Sequence, residues 1–178
     1  MEPQLPAELA TRAAGVRLLV LDADGVLTDG RLFYSEAGEV LKAFHARDGL
    51  GLRLLRNEGV QLAVISGRAA PALARRLSDL RIHHVLLGRD DKRAALSECL
   101  AAAGVSAEET AFVGDDVLDL VGMRAVGLPI AVADAHWLVR RLPRFRAARP
   151  DLKITLRAGL DLVDFQVERV DAAIRMGP

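Results

Sequence analysis

Short apolar runs alternate with amphipathic stretches from residue 16 to about residue 132, and this alternation leaves the chain few folds to choose from. Residues 18–21, 60–65, 82–87, 110–113 and 128–132 read as strands. Their near-continuous apolar character marks strands buried on both faces, as in a parallel sheet. Helical patterns lie between them. Asp48 offers an N-cap and Gly59 a C-cap to one, with Leu50, Leu52, Leu54 and Leu55 between them. Pro71 opens the next, to residue 80. Asp90 or Asp91 opens a third, closed by Gly104, and residues 117–123 form a short fourth. The order predicts βαβ units: an α/β fold with a doubly wound, Rossmann-like parallel sheet.

One segment breaks the alternation. Residues 31–35 and 39–44 are strand-like and flank Glu36-Ala37-Gly38, which predicts a β-hairpin at about 30–45, after the first strand. It carries Phe33, Tyr34 and Phe44, more aromatic surface than a lone hairpin can bury, which points to an oligomer contact, with packing on its own domain as the alternative. Residues 1–14 read as a loose N-terminal extension, and 15–178 as a single domain. Beyond the last strand, 135–142 looks helical, 143–157 is Arg/Pro-rich, and 159–175 has the pattern of an amphipathic helix. Lys plus Arg and Asp plus Glu are both 24, so a nucleic-acid surface is not expected. The single cysteine, Cys99, excludes an intrachain disulfide and reads as a small buried apolar residue. No leader and no membrane span are expected, and the expected location is cytoplasmic.

The strand ends carry the chemistry. Asp22-Ala23-Asp24-Gly25 follows the first strand directly. Open α/β sheets bind ligands at such ends. Two carboxylates there can divide the work of nucleophile and proton donor–acceptor, or they can simply cap a loop; the pair alone leaves both readings open. Gly114-Asp115-Asp116 follows the fourth strand, with Asp119 three residues on. Brought near Asp22 and Asp24, these carboxylates would repel unless a hard divalent cation such as Mg²⁺ lay between them. Ser66 ends the second strand, and its hydroxyl with the amides of Gly67 and Arg68 can make an anion site or merely cap a helix. Lys92 stands in a first helical turn, where a cation is disfavoured by the helix dipole, so it either has a task or is a solvated lysine. His83 and His84 read as structural; His45 and His136 are candidates to touch substrate.

Taken together, Asp22-x-Asp24-Gly25, Ser66, Lys92 and Gly114-Asp115-Asp116 resemble, in order, the four motifs of the haloacid dehalogenase superfamily of phosphatases. The stretches 22–30, 42–49 and 131–135 further resemble its 3-deoxy-D-manno-octulosonate 8-phosphate phosphatase family. That resemblance implies a fold of haloacid dehalogenase type, with a small hairpin insertion and no large cap domain. It implies a homotetramer joined through the hairpins, and a sugar-acid phosphate as substrate in lipopolysaccharide precursor synthesis. Asp22 is then the nucleophile that forms an aspartyl-phosphate, and Asp24 the acid and base. Asp22, the Asp24 carbonyl and Asp115, with Asp116 close by, are the Mg²⁺ ligands. Ser66, Gly67 and Lys92 grip the phosphoryl group, while Arg68 and Arg47 face the substrate. The alternatives are a phosphatase for a nine-carbon sugar acid 9-phosphate, and a non-catalytic assembly module like that attached to sialic acid cytidylyltransferases. The sequence departs from the family at 144–153, where Arg144-Phe145-Arg146 and its neighbours replace a Gly-rich stretch.

Overall fold

The computed structural model describes residues 6–132. The helices expected at 135–142 and 159–175, the stretch between them, and His136 lie outside the described residues. The chain runs α1 (Ala7–Ala14), β1 (Leu18–Leu21), β2 (Phe33–Ser35), β3 (Gly38–Leu41), α2 (Ala46–Asn57), β4 (Gln61–Ser66), α3 (Pro71–Asp79), β5 (His84–Leu87), α4 (Lys92–Ala103), β6 (Thr110–Gly114), a 3₁₀ turn (Val117–Asp119), α5 (Leu120–Met123) and β7 (Leu128–Ala131). Among the described residues no helix is long and apolar enough to cross a membrane.

Five strands form one parallel sheet in the order β5-β4-β1-β6-β7. The chain builds outward from β1 through β4 to β5, then returns to the other side of β1 for β6 and β7. The strand order therefore reverses beside β1, and in open α/β sheets ligands bind at the carboxyl ends of the strands at such a point, here β1, β4 and β6. Val20, Ala63, Ile65 and Phe112 point from the sheet into a core completed by Ala95, Leu96 and Cys99 of α4 and Met123 of α5. Burial alone raises the Cys99 thiol, to about 11, and keeps it an unreactive core residue, as its apolar surroundings in sequence suggested. The hairpin is a separate two-stranded sheet, with Phe33 opposite Leu41 and Ser35 opposite Gly38.

Two local expectations change. Residues 7–14 are a helix rather than a loose segment; four alanines favour it, and the Arg12 guanidinium donates to the Gly127 carbonyl at 3.1 Å through Nε. Helix α2 begins at Ala46 and not after Asp48, because the His45 ring accepts the Arg47 amide at 3.2 Å through Nδ1 and caps the turn three residues earlier. That use accounts for one nitrogen of His45. His83 and His84 act structurally: His83 Nδ1 accepts the Leu62 amide at 3.0 Å, and His84 Nε2 pairs with the Gln61 amide oxygen at 2.9 Å.

Candidate active site

The register of the sheet carries Asp22 to the carboxyl end of β1. Leu21 pairs with Val64 on one side and Val113 on the other, so Asp22 is the first residue beyond the paired core, with its amide donating to the Val113 carbonyl at 2.9 Å. The next turn is closed by Thr28, whose hydroxyl contacts the Ala23 carbonyl and accepts the amides of Gly25 and Gly30. Gly25 is required twice over. Its φ is +91°, and a side chain there would run into the Asp115 carboxylate.

Helix α4 brings the cation. Asp91 caps it by accepting the amides of Arg93 and Ala94, and Lys92 is its first residue. The Lys92 ammonium is buried and lies 2.5 Å from Asp22 Oδ1, 2.8 Å from the Ile65 carbonyl and 3.2 Å from Asp119 Oδ1. The dipole penalty at that position is offset by two carboxylates, so the reading of a solvated lysine fails.

Asp22, Asp115 and Asp119 each present an oxygen within 4.8 Å of the others. Burial is the main force raising the Asp22 carboxyl above its ordinary range, only partly countered by the hydrogen bond from Lys92. Burial also raises Asp115, to about 7, with help from the charges of Asp22, Asp119 and Asp116. Oδ1 of Asp115 is buried without a hydrogen-bond partner. One lysine against three carboxylates leaves the cluster short of positive charge, and an orphaned buried oxygen is a ligand in waiting. The donor set is all oxygen and fits a hard divalent cation of the Mg²⁺ kind.

Asp119, noted in sequence only as a third nearby carboxylate, has a larger place here than the sequence assigned it. It is 1% exposed, and its Oδ2 accepts the amides of Asp115 and Asp116. A carboxylate inside the run Val117-Leu118-Asp119-Leu120-Val121 was the available signal. Asp116 is not brought into the cluster: it caps the 3₁₀ turn, accepting the Val117 amide at 2.5 Å. The side chain of Asp24 also points elsewhere, to Lys42 at 2.5 Å and to Arg68 Nε at 3.6 Å. For Lys42, burial alone would lower the ammonium, but hydrogen bonds to Asp24 and Glu39 outweigh it and hold it above the usual range.

Ser66 is buried at the end of β4, and its hydroxyl accepts the Arg68 amide at 3.1 Å. Helix α3 begins only at Pro71, with Ala70 at its N-cap, so Gly67 and Arg68 lie in a loop and not at a helix start. The Arg68 guanidinium donates to the Tyr34 hydroxyl at 3.1 Å. Arg47 is exposed in the first turn of α2.

A carboxylate nucleophile candidate on the central strand, a buried lysine beside it, and further acids on the neighbouring strand end define a hydrolase of the haloacid dehalogenase superfamily. No protein-family model matches the chain. It is 48% identical over 125 residues to the 3-deoxy-D-manno-octulosonate 8-phosphate phosphatase KdsC of Haemophilus influenzae, covering 70% of this chain and 69% of that protein. The same phosphatase from Moraxella catarrhalis, in a crystal structure with magnesium, phosphate and KDO, superposes with a TM-score of 0.67 at 39% identity, over 70% of this chain and 72% of that one. A haloacid dehalogenase superfamily hydrolase of Legionella pneumophila superposes at 0.69, with 38% identity and 74% of each chain covered. The chain belongs to the 3-deoxy-D-manno-octulosonate 8-phosphate phosphatase family.

Proposed function

We propose that the chain hydrolyses 3-deoxy-D-manno-octulosonate 8-phosphate to the free sugar acid and inorganic phosphate, with Mg²⁺ as cofactor, in lipopolysaccharide precursor synthesis. The observation that carries this reading is the meeting of Asp22, Lys92, Asp115 and Asp119 at the end of β1, in a chain of this family. Asp22, Asp115 and the backbone carbonyl of Asp24 would hold Mg²⁺, with Asp119 rather than Asp116 beside them. The bound ion supplies positive charge against the transferring phosphoryl group.

The chain's own residues divide the rest. A carboxylate oxygen of Asp22 bonds to phosphorus as the bond from phosphorus to the sugar oxygen breaks. Asp24 gives its proton to that departing oxygen. Asp24 then takes a proton from water, the water oxygen bonds to phosphorus, and the bond to Asp22 breaks to release phosphate. Lys92, the Ser66 hydroxyl and the Gly67 amide fix the phosphoryl oxygens, so that positioning and charge neutralisation supply most of the acceleration. Arg68 and Arg47 face the sugar acid.

The assay is phosphate release from the eight-carbon sugar acid phosphate. Turnover should need Mg²⁺ and fall to background in Asp22→Asn; a fully active variant would overturn the mechanism. Against a nine-carbon sugar acid 9-phosphate, kcat/KM should favour the eight-carbon substrate by about tenfold or more. A reversed preference would reassign the substrate. The exposed apolar hairpin supports a homotetramer, and the enzyme is proposed to work in the cytoplasm.

A further inference from the structure

Lys42 has a place in this site that neither the metal cluster nor the phosphate grip explains. It follows β3 directly, and its side chain is completely buried. A buried ammonium is costly unless fully paired. Glu39, three residues back on β3, pairs with it at 2.7 Å and would satisfy a purely structural lysine. The ammonium instead reaches across to the loop after β1 and holds Oδ1 of Asp24 at 2.5 Å. The other oxygen of Asp24 faces Arg68 at 3.6 Å, and Arg68 is held in turn by the Tyr34 hydroxyl of β2. Both cations that touch Asp24 are therefore anchored on the hairpin, Lys42 through Glu39 and Arg68 through Tyr34. Asp24 meanwhile stays out of the cluster formed by Asp22, Asp115 and Asp119.

We infer that Lys42 is a positioning residue for the proton-transfer carboxylate: held by Glu39, it fixes the Asp24 side chain in the direction of the leaving oxygen. The inference rests on the role proposed above for Asp24. The hairpin is then part of the catalytic apparatus as well as a surface for assembly. A general acid is useful only when held within hydrogen-bond reach of the atom it protonates. A carboxylate on a glycine-containing loop has no such hold of its own; a buried ammonium with a second carboxylate behind it supplies one.

The test compares two phosphate esters by kcat/KM, which reports the steps up to loss of the leaving group. The departing alkoxide of 3-deoxy-D-manno-octulosonate 8-phosphate needs a proton, whereas the p-nitrophenolate of p-nitrophenyl phosphate does not. Lys42→Met should lower kcat/KM on the sugar phosphate by about 30-fold or more, and on p-nitrophenyl phosphate by less than about threefold. Lys42→Arg should recover part of the loss. Glu39→Gln, which loosens Lys42 without removing it, should show the same selectivity at smaller size, and serves should Lys42→Met fold poorly. Combined with Asp24→Asn, Lys42→Met should add less than about a further threefold, since both act through one group. Equal losses on the two esters, with Asp24→Asn still selective for the sugar phosphate, would overturn the inference alone. An Asp24→Asn variant without that selectivity would overturn the role of Asp24, and the inference with it.

Discussion

At the scale of single residues, the site is a set of charges that the fold holds against their preference. Asp115 shows this most clearly. Its carboxyl titrates near 7 in the fold against 3.8 for an ordinary aspartate, because burial and the neighbouring acids disfavour the anion. A carboxyl raised in the folded state favours folding fully below its unfolded value, and the benefit disappears as pH rises through the folded one. The metal-free protein should therefore lose stability as pH climbs from about 4 to about 7. Cation binding requires the anion and reverses the penalty. Thermal denaturation with chelator and with Mg²⁺ checks this: the rise in Tm on adding Mg²⁺ should be larger at pH 8 than at pH 6. An equal rise at both would mean that Asp115 is not the group the ion meets.

Among the elements, the loop after β1 decides whether those charges meet at all. Thr28 and Gly25 shape it, and Gly25 lies against Asp115 from β6. Gly25→Ala would strain a positive φ and displace the Asp115 carboxylate together. The strain alone should cost about 1 kcal/mol or more. Denaturant unfolding should show that loss, and Mg²⁺ should restore less Tm to the variant than to the parent chain. A variant that gained as much from Mg²⁺ as the parent would show that Asp115 tolerates the intrusion. The hairpin was legible as a hairpin from its turn, but not as a support for Asp24. Nothing in the sequence announces that Lys42 and Arg68 converge on Asp24, because the hairpin, the loop after β4 and the loop after β1 are brought together only by packing.

For the molecule as a whole, the exposed apolar residues support the proposed assembly. Phe33, Tyr34, Val40 and Leu41 on the hairpin and Leu50 and Leu54 on α2 are all at least 40% exposed. Large exposed apolar surface fits an interaction site. Light scattering should give four times the chain mass of 19.2 kDa, and Val40→Glu should lower it. A monomer from the unaltered chain would remove the hairpin's role in assembly.

The sequence by itself determined the layered α/β architecture and the order of the strands along the chain, and it singled out Asp22, Asp24, Ser66, Lys92 and Asp115 as candidates. It could do so because buried parallel strands are short and apolar, and charge at their ends stands out against that background. Only the tertiary structure decided which of these touch. It brought Asp119 to Lys92 and Asp22, kept Asp116 as a cap, moved the start of α2 to Ala46 with His45 as its cap, and turned Asp24 toward Lys42. The reason is range: a strand or cap is chosen within a few residues, whereas a pair such as Lys92 and Asp22 is chosen by sheet register and helix docking across seventy positions of the chain.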